Sequence, residues 1–390
     1  MRGMVELSPK ALTGADKSVP VLLVIGTRPE AIKMLPVVRA LRGVPGVDCK
    51  VVTTGQHRHM LDQVFEVFGE APDIDLDLMA QGQTLADITI RVLEKMGELI
   101  ELHRPGLVLV HGDTTSAMAA ALAAFYARVP VGHVEAGLRS HDIHRPWPEE
   151  YNRISIDAVA ELLWAPTEGA ARNLRNERPG ERAIEVTGNS GIDALLHTAS
   201  RLSGDEMASL GLTLDPARKL VLVTGHRRES FGDGFDRICS ALAAIAARGD
   251  VELVYPVHLN PQVKGVVEAR LGGARNVHLI PPVDYMQMVA LMQASHLVLT
   301  DSGGIQEEAP ALGKPVLVMR DVTERPEAIE TGVASLVGTD VEEITREVAR
   351  LLDDAPYYAS RARAVFPYGD GTAGEKIASS VAKFLKAHAR

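Results

Sequence analysis

The sequence predicts an α/β protein built from two doubly wound domains. Three observations point there: short apolar runs ending at a glycine or polar turn recur along the chain, helical stripes lie between them, and the pattern restarts near the middle. Parallel strands covered on both faces read as continuous apolar runs, whereas a packed helix shows a stripe of period 3.6. Their alternation favours parallel sheets over a bundle or sandwich. At 390 residues the chain is long enough to build two cores. A TIM barrel is the structural alternative, opposed by the two-part pattern and by the lack of a clean eightfold repeat.

Residues 1–18 carry no regular pattern and are expected as a flexible tail. VPVLLVIG, residues 19–26, reads as a buried strand turning at Gly26 into a helix. DCKVVTTG, GLVLVHGD, PVGHVEAG and ELLWAPT repeat that character. Between them, Met60, Leu61, Val64, Phe65 and Phe68 share one helical face, as do Leu85, Ile88, Val92, Met96 and Leu99. After RAIEVTGNS the series starts again with KLVLVTGHR, VELVYPVH, NVHLIPP, HLVLTDSGG, KPVLVMR and ASLVG, with helical stretches at 235–247 and 286–293. The break is expected between Gly188 and Leu214. The chain then divides into a first domain over 19–190, a second over 191–370, and a final helical segment, 371–390, placed to pack back on the first.

Lys plus Arg number 41 against 51 for Asp plus Glu, a formal charge of -10. That balance argues against nucleic-acid binding through a basic surface, but leaves room for a local cationic cleft holding a phosphorylated small molecule. Two cysteines, Cys49 and Cys239, are too few for a disulfide scaffold and fit a reducing compartment. With no long apolar span and no secretory signal evident, a soluble cytoplasmic protein without membrane insertion is expected.

GTRPEAIKMLP, residues 26–36, brings Arg28 and Lys33 to a helix start, where free N–H groups also attract anions. A helix start with solvated charges is the plainer reading. The later glycines of the dinucleotide fingerprint are missing, so a nicotinamide cofactor is not expected. HGDTTS places Asp113 directly after a strand, where a carboxylate can accept a proton, orient a ligand or cap the next helix. Glu135 in HVEAG ends another strand. The two carboxylates form an acid/base site if those strands are neighbours. In RSHDIHRPWPEEYNR, residues 139–153, Pro146 and Pro148 restrict a loop before a helix starting near Glu149. Glu149 and Arg153 are four apart and can pair on one face. His141, Asp142, His144 and Glu149 form no closed ligand spacing, so no metal is expected.

In the second half, GHRRESFG offers His226 and two arginines to a phosphate, or else a solvated loop paired internally to Glu229. SGGIQEEAPALGKP, residues 302–315, is more informative. Ser302, Gly303 and Gly304 can bring backbone donors to a diphosphate at a helix start, and Glu307 or Glu308 can accept from ribose hydroxyls one turn on. Glycine-assisted chain reversal is the structural alternative. Without a Walker motif, hydrolysis of a nucleoside triphosphate has little support.

The ordered set GTRPEAIK, TGQHRHMLDQ, HGDTTS, VEAGLRS, RPWPEEYNR, TGNSGID, GHRRES and TDSGGIQEEAPALGKP resembles the non-hydrolysing UDP-N-acetylglucosamine 2-epimerase family over residues 19–372. The resemblance implies two Rossmann-like domains of the glycosyltransferase-B type with an interdomain active-site cleft. It implies reversible conversion of UDP-GlcNAc to UDP-ManNAc by elimination and re-addition of UDP, with no cofactor or metal needed for the chemistry. Carried over residue by residue, it implies catalytic roles for Asp113, Glu135, Glu149 and His226. It also implies substrate contacts from Arg28, Lys33, Arg153, Ser302, Gly303, Gly304 and Glu308. A homodimer feeding cell-surface polysaccharide synthesis is the implied setting. Gln56 lies where many bacterial members contact a second, activating UDP-GlcNAc. Nearby, His59 stands where glutamine is common and Gly82 where a basic side chain is common. A hydrolysing 2-epimerase releasing ManNAc and UDP, a nucleotide-sugar glycosyltransferase, and a non-enzymatic sugar-nucleotide sensor are the alternatives.

Overall fold

The computed structural model describes residues 18–55, 58–78, 80, 82–177, 183–225, 232–257 and 261–388. The first run of elements is β1 (Val19–Ile25), α1 (Arg28–Arg42), β2 (Val47–Thr53), α2 (Arg58–Phe68), β3 (Ile74–Asp75), α3 (Leu85–His103), β4 (Leu107–His111) and α4 (Thr115–Tyr126). It continues through β5 (Val131–Val134), α5 (Glu149–Val159), β6 (Leu162–Ala165), α6 (Glu168–Glu177), β7 (Ala183–Val186), α7 (Ser190–Ala199) and α8 (Asp205–Ser209). The second run is β8 (Lys219–Thr224), α9 (Asp233–Ala246), β9 (Val251–Pro256), α10 (Pro261–Leu271), β10 (Val277–Ile280), α11 (Tyr285–Ala294), β11 (Leu297–Thr300) and α12 (Gly303–Ala311). It closes with β12 (Val316–Val318), α13 (Pro326–Glu330), β13 (Ala334–Leu336), α14 (Val341–Asp353), α15 (Ala355–Arg361) and α16 (Ala373–His388).

The strands form two open sheets, not a barrel. One runs β3-β2-β1-β4-β5-β6-β7 and the other β10-β9-β8-β11-β12-β13. The pairings are parallel throughout. Each sheet reverses direction beside its first strand, between β1 and β4 and between β8 and β11. At such a switch point the loops leaving the carboxyl ends diverge and open a crevice. Gly26 to Arg28 follow β1, Gly112 and Asp113 follow β4, Gly225 follows β8, and Asp301 to Gly304 follow β11.

Local chemistry explains how these loops turn into helices. Thr27 caps α1 in a reciprocal box with Glu30, next to a proline in the first turn. The helix then buries Ala31, Met34, Leu35, Val38 and Leu41. The long strands coincide with the apolar runs of the sequence, but β3 and β7 have no such run to mark them. The first has two residues, and the second is an edge strand whose side chains are mostly exposed.

The two sheets are joined through α7. It packs on α1 on one side and on α11 and α12 on the other. One apolar cluster therefore runs from Met34 and Leu35 through Ile192 and Leu195 to Val289 and Ile305. The chain leaves the first sheet after Val186 and returns toward it after Arg361, where α16 packs against α1 and α7. These two crossings touch. A Cβ on Gly188 would sit 2.8 Å from the Gly369 Cα, and both glycines have positive φ, 89° and 125°. Among the described residues, no helix is long and apolar enough to cross a membrane.

Candidate active site

In the register of the first sheet His111 lies opposite Val134, so Asp113 and Glu135 leave adjacent strand ends. The condition for a two-carboxylate site is met. Glu135 has φ 67°, a left-handed conformation that costs a non-glycine residue about 1 kcal/mol or more and that is often kept at functional positions. Its Oε1 accepts from the Lys33 ammonium and from Asn189 Nδ2 at 3.2 Å. Its Oε2 lies 3.6 Å from His111 Nε2. Burial would push this carboxyl up, but the Lys33 ammonium, with Arg325 further off, holds it below the usual carboxylate range. His111 is itself buried, with neither ring nitrogen hydrogen-bonded among the described residues. Burial brings it down to about 4, so the ring is neutral at pH 7.

Arg153 does not pair with Glu149, as the four-residue spacing allowed. It reaches Asp113 with one nitrogen and Glu150 with another, at 3.3 Å. Glu150 is the better anchored partner: it is fully buried and accepts from the Ser140 and His141 backbone N–H groups. Glu149 is left half-buried with no ion pair among the described residues. It faces a cleft of about 270 Å³ shared with Asp113, Thr27, Leu85 and Ile88. Glu30 ties the neighbouring loops together, accepting from the Gly26 and Thr27 N–H groups and from the Thr114 hydroxyl. Behind them, the His133 ring spans the Gly112 carbonyl at 2.8 Å and Asp157 at 2.6 Å, and Asp157 also meets Arg139. Asp113 thus projects from a turn braced on two sides.

In the second half, Ser302 caps α12 without a side-chain cap bond, and Gly303 and Gly304 open the helix. Their N–H groups lie in the first turn, where no helix carbonyl precedes them. Glu307 is buried, paired with Arg325, and accepts from Asn189 Nδ2 at 2.7 Å. Burial and the Glu307 charge push the neighbouring Glu308 carboxyl up to about 8. Arg28 lies beside Tyr285 in a second cleft of about 360 Å³, where α1 and α2 face the start of α11. The Tyr285 hydroxyl is buried without a hydrogen-bond partner among the described residues. His226 and Gln56 lie outside the described residues.

Of the sequence-predicted groups, Asp113, Glu149 and Arg153 come together around one cleft, and Lys33 and Glu135 form a partly buried pair next to it. Ser302, Gly303, Gly304 and Glu308 gather on α12, with Arg28 at the second cleft. Residues of the network not among the sequence-predicted groups include Glu30, His111, Glu150, Asn189 and Arg325. Asn189 has one local signal, an asparagine directly before a helix start, and it does cap α7. Among the described residues, no group of three or more His, Cys, Asp or Glu is arranged to hold a metal ion.

A family model described as UDP-N-acetylglucosamine 2-epimerase matches residues 39–382. The UDP-N-acetylglucosamine 2-epimerase of Escherichia coli K12 is 53% identical over 363 residues, covering 92% of this chain and 96% of that protein. The crystal structure of the Neisseria meningitidis UDP-GlcNAc 2-epimerase bound to UDP-GlcNAc superposes with a TM-score of 0.87 at 42% identity, covering 93% of this chain and all of that one. The Methanocaldococcus jannaschii enzyme in complex with UDP-GlcNAc and UDP gives a TM-score of 0.78 at 32% identity, covering 93% and 99% of the two chains. With a family match over most of its length and relatives this similar end to end, the chain is an enzyme of the UDP-N-acetylglucosamine 2-epimerase family.

Proposed function

We propose that the protein interconverts UDP-GlcNAc and UDP-ManNAc by eliminating UDP across C1–C2 and adding it back, without net hydrolysis. The observation that carries this reading is Glu135, a partly buried carboxylate kept ionised by Lys33 beside a cleft that holds two further carboxylates, Asp113 and Glu149. In this reading residues 19–190 are the catalytic domain, residues 191–370 the UDP-binding domain, and the substrate lies between them.

The C2 proton of the sugar is not next to a carbonyl, so it cannot be removed by simple enolisation. Elimination solves the problem. A base takes the C2 proton, the C1–O bond breaks with its electrons going to the β-phosphate oxygen, and a C1=C2 double bond forms. Protonation of C2 on the opposite face and attack of that oxygen on C1 complete the epimer. Glu149, free of ion pairs among the described residues, and Asp113, held by Arg153, suit the two proton transfers. Glu135 suits a different role, because a carboxylate held ionised by Lys33 can stabilise positive charge developing at C1. On the departing side, the amide N–H groups opening α12 and Arg28 meet the diphosphate, and His226 assists its departure. Glu308 meets the ribose.

Product chromatography separates this reading from its relatives. Incubation with UDP-GlcNAc alone should yield UDP-ManNAc at equilibrium with substrate. Free ManNAc with stoichiometric UDP would make the enzyme a hydrolysing 2-epimerase instead, and no product without an added acceptor would reject the epimerase reading.

A further inference from the structure

The two crossings between the sheets place one amide where the halves meet. Asn189 is buried and follows Gly188, the residue whose backbone presses on Gly369 of the returning chain. Its backbone N–H donates to the Tyr368 carbonyl, and its Oδ1 accepts from the Gly191 N–H at 2.8 Å. These two bonds fix which way the amide points. Its Nδ2 then reaches in two directions: to Glu135 Oε1 in the first half and to Glu307 Oε2 on α12 in the second. An amide nitrogen carries two protons, so one group serves both carboxylates at once. Without that donor, the two carboxylates would face each other with no shared hydrogen-bond donor between them.

We propose that Asn189 is a positioning residue that couples the nucleotide-binding helix α12 to the catalytic carboxylate Glu135. α12 carries the groups assigned to the diphosphate and ribose, so its placement relative to Glu135 sets whether a bound sugar nucleotide lies over an ionised and correctly aimed carboxylate. Asn189 ties the two at the point where any relative movement of the halves must pass. The inference rests on the epimerase reading, because without it Glu135 has no catalytic role to be positioned for.

The charged groups around this amide are Lys33 on α1, His111 ending β4, Glu307 and Glu308 on α12, Arg325 before α13, Asp193 on α7 and Lys376 on α16. Wild type must first show epimerisation; if it does not, the epimerase reading has failed and the coupling is not at issue. With an active wild type, Asn189→Ala is expected to lower kcat by about 10- to 100-fold, the cost of losing a hydrogen bond to a buried charged group. The dissociation constant for UDP alone, read by calorimetry, should move by less than about threefold, because α12 keeps its own contacts and Arg325 still pairs with Glu307. Asn189→Asp supplies the discriminating readout. Its carboxyl can donate only when protonated, so the ratio of N189D to wild-type kcat should rise steadily from pH 9 to pH 6. A packing role alone would not produce that slope. Should N189A fail to fold, as judged by its melting transition, the pH dependence of N189D and of Asn189→Ser decides the question. A wild-type kcat in either variant, or an N189D ratio flat with pH, would overturn the proposal.

Discussion

Glu308 shows how burial at the site sets a pH dependence before any ligand binds. Its carboxyl is pushed up from 4.5 to about 8, first by burial and then by Glu307. The folded state therefore holds this proton more tightly than the unfolded chain. Between those two values the native state binds more protons, so stability falls as pH rises from 4.5 toward 8. Glu308→Gln removes the ionisation. At pH 8 the ligand-free variant should melt roughly 2–4 °C above wild type, the shift that about 1 kcal/mol gives in a large domain. At pH 5 the difference should shrink. UDP affinity should fall at the same time, since an amide replaces the proposed ribose acceptor. A melting difference unchanged between pH 5 and pH 8 would count against a raised carboxyl. At this scale the sequence speaks unevenly. Asp113 and Glu135 stand at readable strand ends, whereas the partners that tune them are far away in sequence. Asn189 meets Glu135 across 54 residues and Glu307 across 118, and no local pattern encodes such a meeting.

Elements are legible in proportion to how fully their faces are buried. β1, β4 and β8 show as apolar runs because helices cover both faces, and α1, α3 and α9 show the helical stripe. β3 and β7 lie at sheet edges and bury little, so composition barely marks them. The Glu149–Arg153 pairing fails for a related reason: helical spacing permits it, but a fully buried Glu150 three residues away competes better for the guanidinium. The turn before α7 is a sharper case. Gly188 needs both its positive φ and its missing side chain, since a Cβ would meet the Gly369 backbone at 2.8 Å. Gly188→Ala should cost about 2–4 kcal/mol, combining backbone strain with overpacking. Gly46 is the control. It also has positive φ, 80°, but a Cβ there meets nothing within 4 Å, so Gly46→Ala should cost only about 1 kcal/mol. Equal urea midpoints for the two variants would show that the crossing is looser than its contacts imply.

At the scale of the whole molecule, two facts sit in tension. A single apolar cluster runs through α7 and binds the halves together, yet polar groups assigned to one substrate are divided between both. The proposed site between the halves calls for closure about the crossings at Gly188 and Gly369, which would exclude water and protect an unsaturated sugar intermediate. Small-angle scattering should therefore show a smaller radius of gyration with saturating UDP; an unchanged radius would argue against closure in solution. The net charge of -10 is no obstacle to an anionic substrate, because local groups meet it: Arg28 lines one cleft, and first-turn amide N–H groups open α12. The most direct test of elimination and re-addition is incubation with UDP-GlcNAc in heavy water. Deuterium should appear at C2 of the UDP-ManNAc formed, at one atom per turnover when the released proton exchanges with solvent. UDP-ManNAc that retains all of the original C2 hydrogen would contradict proton exchange at C2, and with it the assignment of Asp113 and Glu149 to that step.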